Sequence, residues 1–141
     1  MTKLSEASPR SNLARVVIET SFACRRFDGG LCPSIIDILQ GMMSPHAPFT
    51  AEFVTVLKLS FDVSELGKRY EIAAEVCDPE GRVISIARGI ASAASLNSLH
   101  EQMMSFEHRV LISEFGPHVI RYVVNGELSP VIQRMNFVLG P

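Results

Sequence analysis

Residues 53–90 read FVTVLKLSFDVSELGKRYEIAAEVCDPEGRVISIARGI, and this stretch decides the fold. Mostly apolar residues alternate with more polar ones along 53–61 and again along 70–76. A period of two is typical of strands that bury one face. The sequence DPEG at 78–81 has proline second and glycine fourth, which favours a type I turn between two strands. We therefore predict three antiparallel strands in a row, the last of which carries its isoleucines on one face.

Towards the C-terminus the same alternation continues along 104–112 and 118–124. Asn125-Gly126 then favours a two-residue hairpin turn, because both turn positions need a positive φ. A final strand follows at 128–139. Strands of this length and spacing predict an all-β fold, specifically a two-layer antiparallel β-sandwich of Ig-like or C2-like type with seven to eight strands.

The N-terminal part is less regular. Its opening strand is expected to direct one face inward, formed by Val16, Ile18, Thr20, Phe22 and Cys24. Asp28-Gly29-Gly30 favours a tight turn. The following segment, 31–43, fits either a strand or a short helix, because the apolar residues within 34–40 match both periods.

The strand registers also predict the core. We expect the largest inward side chains to be buried, and these are Phe53, Leu57, Leu59, Phe61, Tyr70, Ile72, Val76, Ile120, Tyr122 and Phe137. The inner face of 104–112 should add Phe106, Val110 and Ile112.

Composition limits the classes of function. The 141 residues suffice for a single domain, predicted at 14–141 after a flexible arm at 1–13 that lacks the apolar run of a secretory signal. A net charge of -2 leaves no basic excess for nucleic-acid binding. The apolar runs are too short to span a membrane. With 47% hydrophobic residues, the chain is expected to fold and to hide some apolar surface in a self-interface.

Three cysteines bear on the compartment. Cys24 and Cys32 could face each other across a hairpin centred on Asp28, which leaves a disulfide conceivable. An odd number of cysteines without a Cys-x-x-Cys pair favours inert, reduced and half-buried thiols at Cys24, Cys32 and Cys77. We therefore expect a cytoplasmic protein.

The turn motifs carry a resemblance. Asp28-Gly29-Gly30, the turn at 78–82 and the closing run FGPHVIRYVVNGEL at 115–128 resemble a family of small bacterial proteins grouped as a domain of unknown function. The resemblance covers 15–139 and implies an Ig-like or C2-like sandwich without catalytic residues. The sequence departs from the family pattern between Cys32-Pro33 and Met43, where a glycine-rich strand end is expected.

Catalytic and cofactor motifs are absent from the sequence. It contains no Gly-x-Ser-x-Gly elbow and no phosphate-binding glycine loop with its lysine. Asp78 and Glu80 are better explained by turn hydrogen bonds than by calcium binding. We predict no cofactor and no metal, and we do not favour an enzyme.

Four histidines, His46, His100, His108 and His118, are scattered along the chain, which argues against a zinc site. A weaker alternative joins His108 and His118 across the Gly116-Pro117 reversal, with Glu107 or Glu114 completing a metal site. We favour instead one surface and one half-buried histidine on adjacent strands.

The sequence favours a non-catalytic binding or interaction module that forms a homodimer or binds a protein partner. Two methionine pairs suggest the contact surface, because alternation turns one member of each pair outward; we expect Met42 or Met103 in the interface. The alternative is a small enzyme or ligand-binding protein with a loop-built site, first at Arg25, Arg26 and His46. A cavity lined by a histidine and an arginine would favour that alternative. A viral or phage structural component is a further alternative.

Overall fold

The computed structural model describes residues 16–29, 33–65, 67–92 and 102–141. Its strands, with one 3-10 turn, are β1 (Val16–Asp28), β2 (Ser34–Ile38), β3 (Gly41–Ser44), β4 (Phe49–Phe61), the turn Val63–Glu65, β5 (Arg69–Cys77), β6 (Val83–Ser92), β7 (Gln102–Ile112), β8 (Gly116–Val124) and β9 (Glu127–Leu139). Within these ranges no helix has the length and apolar character needed to cross a membrane. The predicted arm at 1–13, Cys32 and His100 lie outside the described residues.

The all-β prediction is confirmed, and the strands form two curled sheets, each shaped like half a barrel. The four-stranded sheet has the order β2-β1-β4-β7, and the five-stranded sheet has the order β3-β9-β8-β5-β6. Two details of the prediction were wrong. The described residues form nine strands rather than seven or eight, and β3 pairs with β9 in parallel rather than antiparallel.

The additional strand comes from the ambiguous segment 31–43, whose described part forms β2 and β3 rather than a helix. Gly41 opens β3 opposite Asn136 of β9. A side chain at Gly41 would collide with the carbonyl oxygen of Asn136, so glycine permits the close approach of these two strands.

Strands β4 and β5 do not pair, which corrects the prediction of three antiparallel strands in a row. β4 lies in the four-stranded sheet, whereas β5 and β6 form an antiparallel pair in the other sheet. The link between β4 and β5 contains the 3-10 turn, closed by a hydrogen bond from the Glu65 amide to the Asp62 carbonyl. This compact link carries the chain from one sheet to the other.

The predicted core is confirmed. All ten side chains named from the strand registers are at most 5% exposed, and Phe106, Val110 and Ile112 are buried as expected. Both sheets contribute to this core: Phe53 of β4 and Phe137 of β9 lie with ring centroids 6.3 Å apart. The apolar face that each sheet turns inward is therefore covered by the other sheet.

The inward face of β1 was predicted correctly only for its first half. The register against β4 shifts between Ile18 and Thr20, which is a β-bulge at Glu19. After the bulge Ala23 joins the core, and the Ser21 hydroxyl lies 2.7 Å from the Tyr122 hydroxyl. One additional residue is sufficient to exchange the two faces of a strand.

Two turns form as the sequence predicts. Asn125 and Gly126 both have positive φ, 47° and 84°, and join β8 to β9. In the turn after β5, the Gly81 amide donates to the Asp78 carbonyl at 2.9 Å. The Asp78 side chain accepts from the amides of Glu80 and Arg82, as expected for turn bonding.

Candidate functional site

A cavity of about 390 Å³ lies at the end of the fold where β6 begins and β7 ends. The turn between β5 and β6 and the start of β6 supply one wall, and the turn between β7 and β8 supplies another. Its lining residues are Asp78, Arg82, Val83, Ile84, Leu111, Ser113, Glu114 and His118. A cavity of this size with several polar groups is large enough for a small ligand.

Three carboxylates meet at this cavity. Asp78, Glu80 and Glu114 each place an oxygen within 4.8 Å of the others. Arg82 binds two of them: its Nε donates to Asp78 Oδ2 at 2.9 Å, and its Nη2 donates to Glu80 Oε1 at 3.2 Å. The Arg82 side chain is 72% exposed, so these two ion pairs contribute little stability. Glu114 Oε1 is buried without a hydrogen-bond partner among the described residues.

This arrangement shifts the pKa values of Glu114 and Asp78 in opposite directions. The pKa of Glu114 is raised, first by a hydrogen bond with Glu80, then by burial and by the charges of Glu80 and Asp78. Burial alone would raise the pKa of Asp78, but hydrogen bonds from Arg82 and Glu80 together with the Arg82 charge lower it. Of these two carboxyl groups, Glu114 is therefore the easier to protonate.

His118 forms a buried wall of the same cavity. It is 1% exposed, and its ring packs edge-on against Phe137 with centroids 4.9 Å apart. Its Nδ1 lies 3.0 Å from the carbonyl oxygen of Gly116. Because a carbonyl only accepts, Nδ1 is the donor in this contact, and the tautomer with its proton on Nδ1 leaves Nε2 as an acceptor. Nε2 has no partner among the described residues.

A second feature is the edge strand β6. Among the described residues, eleven large apolar side chains are exposed, and four of them lie on this strand: Val83, Ile84, Ile86 and Ile90. Its inward face carries only small residues, namely Ser85, Ala87, Gly89 and Ala91. The reason is steric, because a side chain at Gly89 would meet Met104 and Phe106 of β7.

The face of the five-stranded sheet next to β6 combines apolar and charged groups. One row runs from Ile132 of β9 through Arg121 and Glu75 to Ile86 of β6. Arg121 Nε donates to Glu75 Oε1 at 2.7 Å in this row. A groove of about 610 Å³ lies beside it, with Glu71, Glu75 and Arg88 among its lining residues. Acidic and basic groups thus share one surface.

His108 occupies a different environment from His118, and the two do not form the metal site considered from the sequence. They lie on different sheets, and both are buried rather than one being at the surface. His108 stacks on Phe53 and its Nε2 lies 2.8 Å from the Thr55 hydroxyl. Burial lowers the pKa of His108 to about 4, so the ring is neutral near pH 7.

The loop-built site expected at Arg25, Arg26 and His46 is not assembled. Arg25 lies 3.6 Å from Asp37, and Arg26 lies 3.3 Å from Asp28. His46 places Nδ1 3.2 Å from the carbonyl oxygen of Pro48. Each of these three side chains is engaged within its own hairpin or loop. The cavity lined by a histidine and an arginine lies instead at His118 and Arg82, so it favours ligand binding at that end of the fold and not at Arg25, Arg26 and His46.

The methionine pairs are oriented as alternation requires, although one expected interface residue faces the core. Met42 packs against the core, and its neighbour Met43 is the exposed member at 58%. Met103 lies on the outer face of β7 opposite Lys58, half-buried, while Met104 packs inward. Met43, rather than Met42, is therefore the member of the first pair available for contact.

The described cysteines are free and buried. The register places Cys24 opposite Ile38, so the strand partner of Cys24 is not Cys32. Burial raises the pKa of both Cys24 and Cys77, which makes each thiol a poor nucleophile. Both are buried more completely than the half-buried thiols expected from the sequence.

Sequence reasoning did not find the cavity. The sequence grouped Glu114 and His118 only with His108. For Asp78 and Glu80 it favoured turn hydrogen bonds over calcium binding. The short separation of Glu114 and His118 around Gly116 was the available signal. Their approach to the turn at 78–82 depends on β5 and β8 being neighbours, which strand alternation alone does not specify.

Comparison with known proteins adds no identification: no protein-family model matches the chain, and no curated protein matches it significantly.

Proposed function

We propose that this chain is a non-catalytic binding module that self-associates by pairing strand β6 with the same strand of a second copy. The observation that carries the proposal is the edge of β6. Among the described strands β6 is hydrogen-bonded to β5 only, and it combines ten residues, one charged side chain and four exposed large apolar side chains. An edge strand of this kind is a template for further strand pairing.

The other edge strands favour β6 by contrast. β2 and β3 have only five and four residues, and short edges pair poorly. β7 has eleven residues but carries the exposed charges Glu107 and Arg109 on its outer face, and Arg109 lies 3.6 Å from Glu52 of β4. β6 has Arg88 as its only charge and contains no lysine or proline.

A second copy of the chain is the occupant that this edge fits best. A two-fold axis perpendicular to the strand makes two copies of β6 antiparallel, and an antiparallel pair of this kind lets the edge of β6 pair with itself. Such pairing would bring the exposed isoleucines of one copy close to those of the other, with each residue opposite a different residue unless it lies at the axis. The adjoining groove carries both Glu71 and Arg88, so neither copy presents a surface of one charge only.

Several wider proposals accompany this one. The core shared by the two curled sheets supports a two-layer sandwich, and the resemblance to the bacterial family remains a prediction. The two buried free thiols support a reducing compartment such as the cytoplasm. We infer a dimer that buries at least about 1,000 Å² in total.

Sedimentation equilibrium of the wild type and two matched variants tests the proposal. Ile86 and Ile132 lie in one row of the same sheet and are 42% and 41% exposed, but only Ile86 is on an edge strand. We expect Ile86→Lys to convert the dimer to monomer and Ile132→Lys to leave it intact, because a lysine on an edge opposes strand pairing. Loss of the dimer in both variants would instead assign the contact to the sheet face. A monomeric wild type at tens of micromolar would overturn the proposal.

A further inference from the structure

We propose that the cavity between the turn at 78–82 and the turn at 113–116 binds a divalent metal ion through the carboxylates of Asp78, Glu80 and Glu114, with His118 accepting a hydrogen bond from a metal-bound water. This inference goes beyond self-association and does not depend on it. It starts from the three carboxylate oxygens that lie within 4.8 Å of one another.

Carboxylates close together are common on protein surfaces, so the case depends on His118. This side chain is 99% buried, lines the cavity and has an unpartnered Nε2 among the described residues. A buried polar atom without a partner is costly, and a ligand or an ordered water removes that cost. A polar occupant of the cavity within reach of Nε2 would remove this cost.

The second nitrogen of His118 is already oriented for such a role. Nδ1 donates to the Gly116 carbonyl at 3.0 Å, which fixes both the ring position and the tautomer. A backbone carbonyl holding one imidazole nitrogen while the other faces a metal or its water is the usual arrangement around protein metal sites. Gly116 itself has a φ of 133°, a backbone conformation that favours glycine.

The donor set indicates the class of metal. Three carboxylates are hard oxygen ligands, which suit Mn²⁺, Ca²⁺ and Mg²⁺ better than soft metals. Asp78 is held by amides of its own turn, and Glu114 Oε1 has no hydrogen-bond partner among the residues that the structure describes. Both carboxylates would therefore be available without unfolding any strand.

Arg82 is the competing cation. Its guanidinium now contacts Asp78 and Glu80, and a bound metal would take over part of that role. Because the Arg82 side chain is 72% exposed, it can move into solvent at low cost. Removing Arg82 should consequently strengthen metal binding, whereas removing a carboxylate should weaken it.

Mn²⁺ binding followed by electron paramagnetic resonance tests the site, with the metal alone as the probe. We expect one saturable Mn²⁺ per chain that excess Ca²⁺ displaces. Glu114→Gln should weaken the affinity at least tenfold, and Arg82→Gln should tighten it severalfold. His118→Gln should weaken it by a smaller factor, since it acts through water. Glu107→Gln and Arg109→Gln are the matched controls, because both residues are exposed on β7 and neither lines the cavity.

The outcomes separate clearly. Unchanged affinity in the two control variants, with the expected changes in the cavity variants, supports the site. Equal changes in control and cavity variants would mean general attraction to an acidic surface, and the proposal would be wrong. The absence of saturable Mn²⁺ binding at millimolar metal would also overturn it. Ile86→Lys should bind Mn²⁺ as the wild type does, so failure of self-association and failure of the metal site are distinguishable.

Discussion

Strands β6 and β9 belong to the same sheet but distribute their large residues in opposite ways. β9 lies between β3 and β8 and sends Met135 and Phe137 into the core. β6 lies at the edge, directs only small residues inward and exposes its isoleucines. Ile132 of β9 is as exposed as Ile86 of β6, so exposure alone does not distinguish a binding edge from an ordinary surface position.

This difference shows that the strand packed across the core determines which face of a strand can carry large side chains. Met104 and Phe106 of β7 extend over Gly89 and fill the space that larger β6 residues would occupy. Large side chains on β6 can therefore be accommodated only on its outer face. Without a partner, that face would be an unexplained exposure of apolar surface.

The largest expected difference between the two strands is in stability. Phe137→Ala removes a ring that contacts Phe49, Phe53 and His118, and it should lower the free energy of unfolding by about 3–5 kcal/mol. Ile86→Ala should change it by less than about 0.5 kcal/mol in the monomer. Urea denaturation at submicromolar concentration provides both values. Similar losses in the two variants would mean that Ile86 is part of the core.

The next effect concerns β7, the strand that faces β6, and its buried His108. The pKa of this histidine is about 4 in the folded protein against about 6.5 when unfolded, because burial disfavours the charged ring. Protons therefore bind preferentially to the unfolded chain between these values. Stability from the neutral ring is present above pH 6.5 and is lost as the pH falls towards 4, on the order of 3 kcal/mol.

His108→Gln isolates this contribution, since glutamine does not titrate. We expect the free energy of unfolding of the wild type to fall more steeply than that of the variant between pH 6.5 and 4 in denaturant titrations. His46→Gln serves as the control because His46 is exposed. Parallel pH profiles for wild type and His108→Gln would show that the ring is not held neutral.

A smaller effect is expected where β6 and β7 pack together. Gly89→Val should destabilise the fold by about 1–3 kcal/mol, because its side chain must displace the ends of Met104 and Phe106. Met104 is flexible, so Met104→Ala in the same chain should recover part of the loss. Thermal unfolding of the single and double variants measures the coupling between them. Additive losses would indicate that the inner face of β6 tolerates larger residues.

The smallest effect is expected at Met103, which the sequence placed in the interface. Met103 lies on β7 in the four-stranded sheet, whereas β6 belongs to the five-stranded sheet. We therefore expect the Met103→Glu variant to remain dimeric in sedimentation measurements. A shift to monomer in this variant, with Ile86→Lys still dimeric, would return the interface to β7.

Much of the fold follows from alternation and turn chemistry. The period of two identified Phe61, Ile72 and Phe137 as core residues, and Asn125-Gly126 identified a hairpin, because both signals act over a few residues. The bulge at Glu19 could not be anticipated, since an extra residue leaves no local signature. Nor could the assignment of β4 and β5 to different sheets, because a short link is compatible with either arrangement.

The candidate site was harder to predict for the same reason. Asp78 and Glu114 come together only because the β5–β6 and β7–β8 turns lie at one end of the molecule. Arg25 and Arg26 were adjacent in the sequence and therefore prominent, yet each forms an ion pair beside its own strand. The outer position of Ile86 depends on β7, which no local pattern within β6 reveals.

Hydrogen–deuterium exchange at low and high protein concentration tests the central claim most directly. β9 has a hydrogen-bonded neighbour on both sides in a single chain, whereas β6 is hydrogen-bonded to one strand, β5, within the part of the chain that the structure describes. We predict that amides in 83–88 exchange more slowly at high concentration, while those of β9 and of the short edge strand β2 do not change. Exchange in 83–88 that is independent of concentration, in a sample that is dimeric, would contradict pairing through β6.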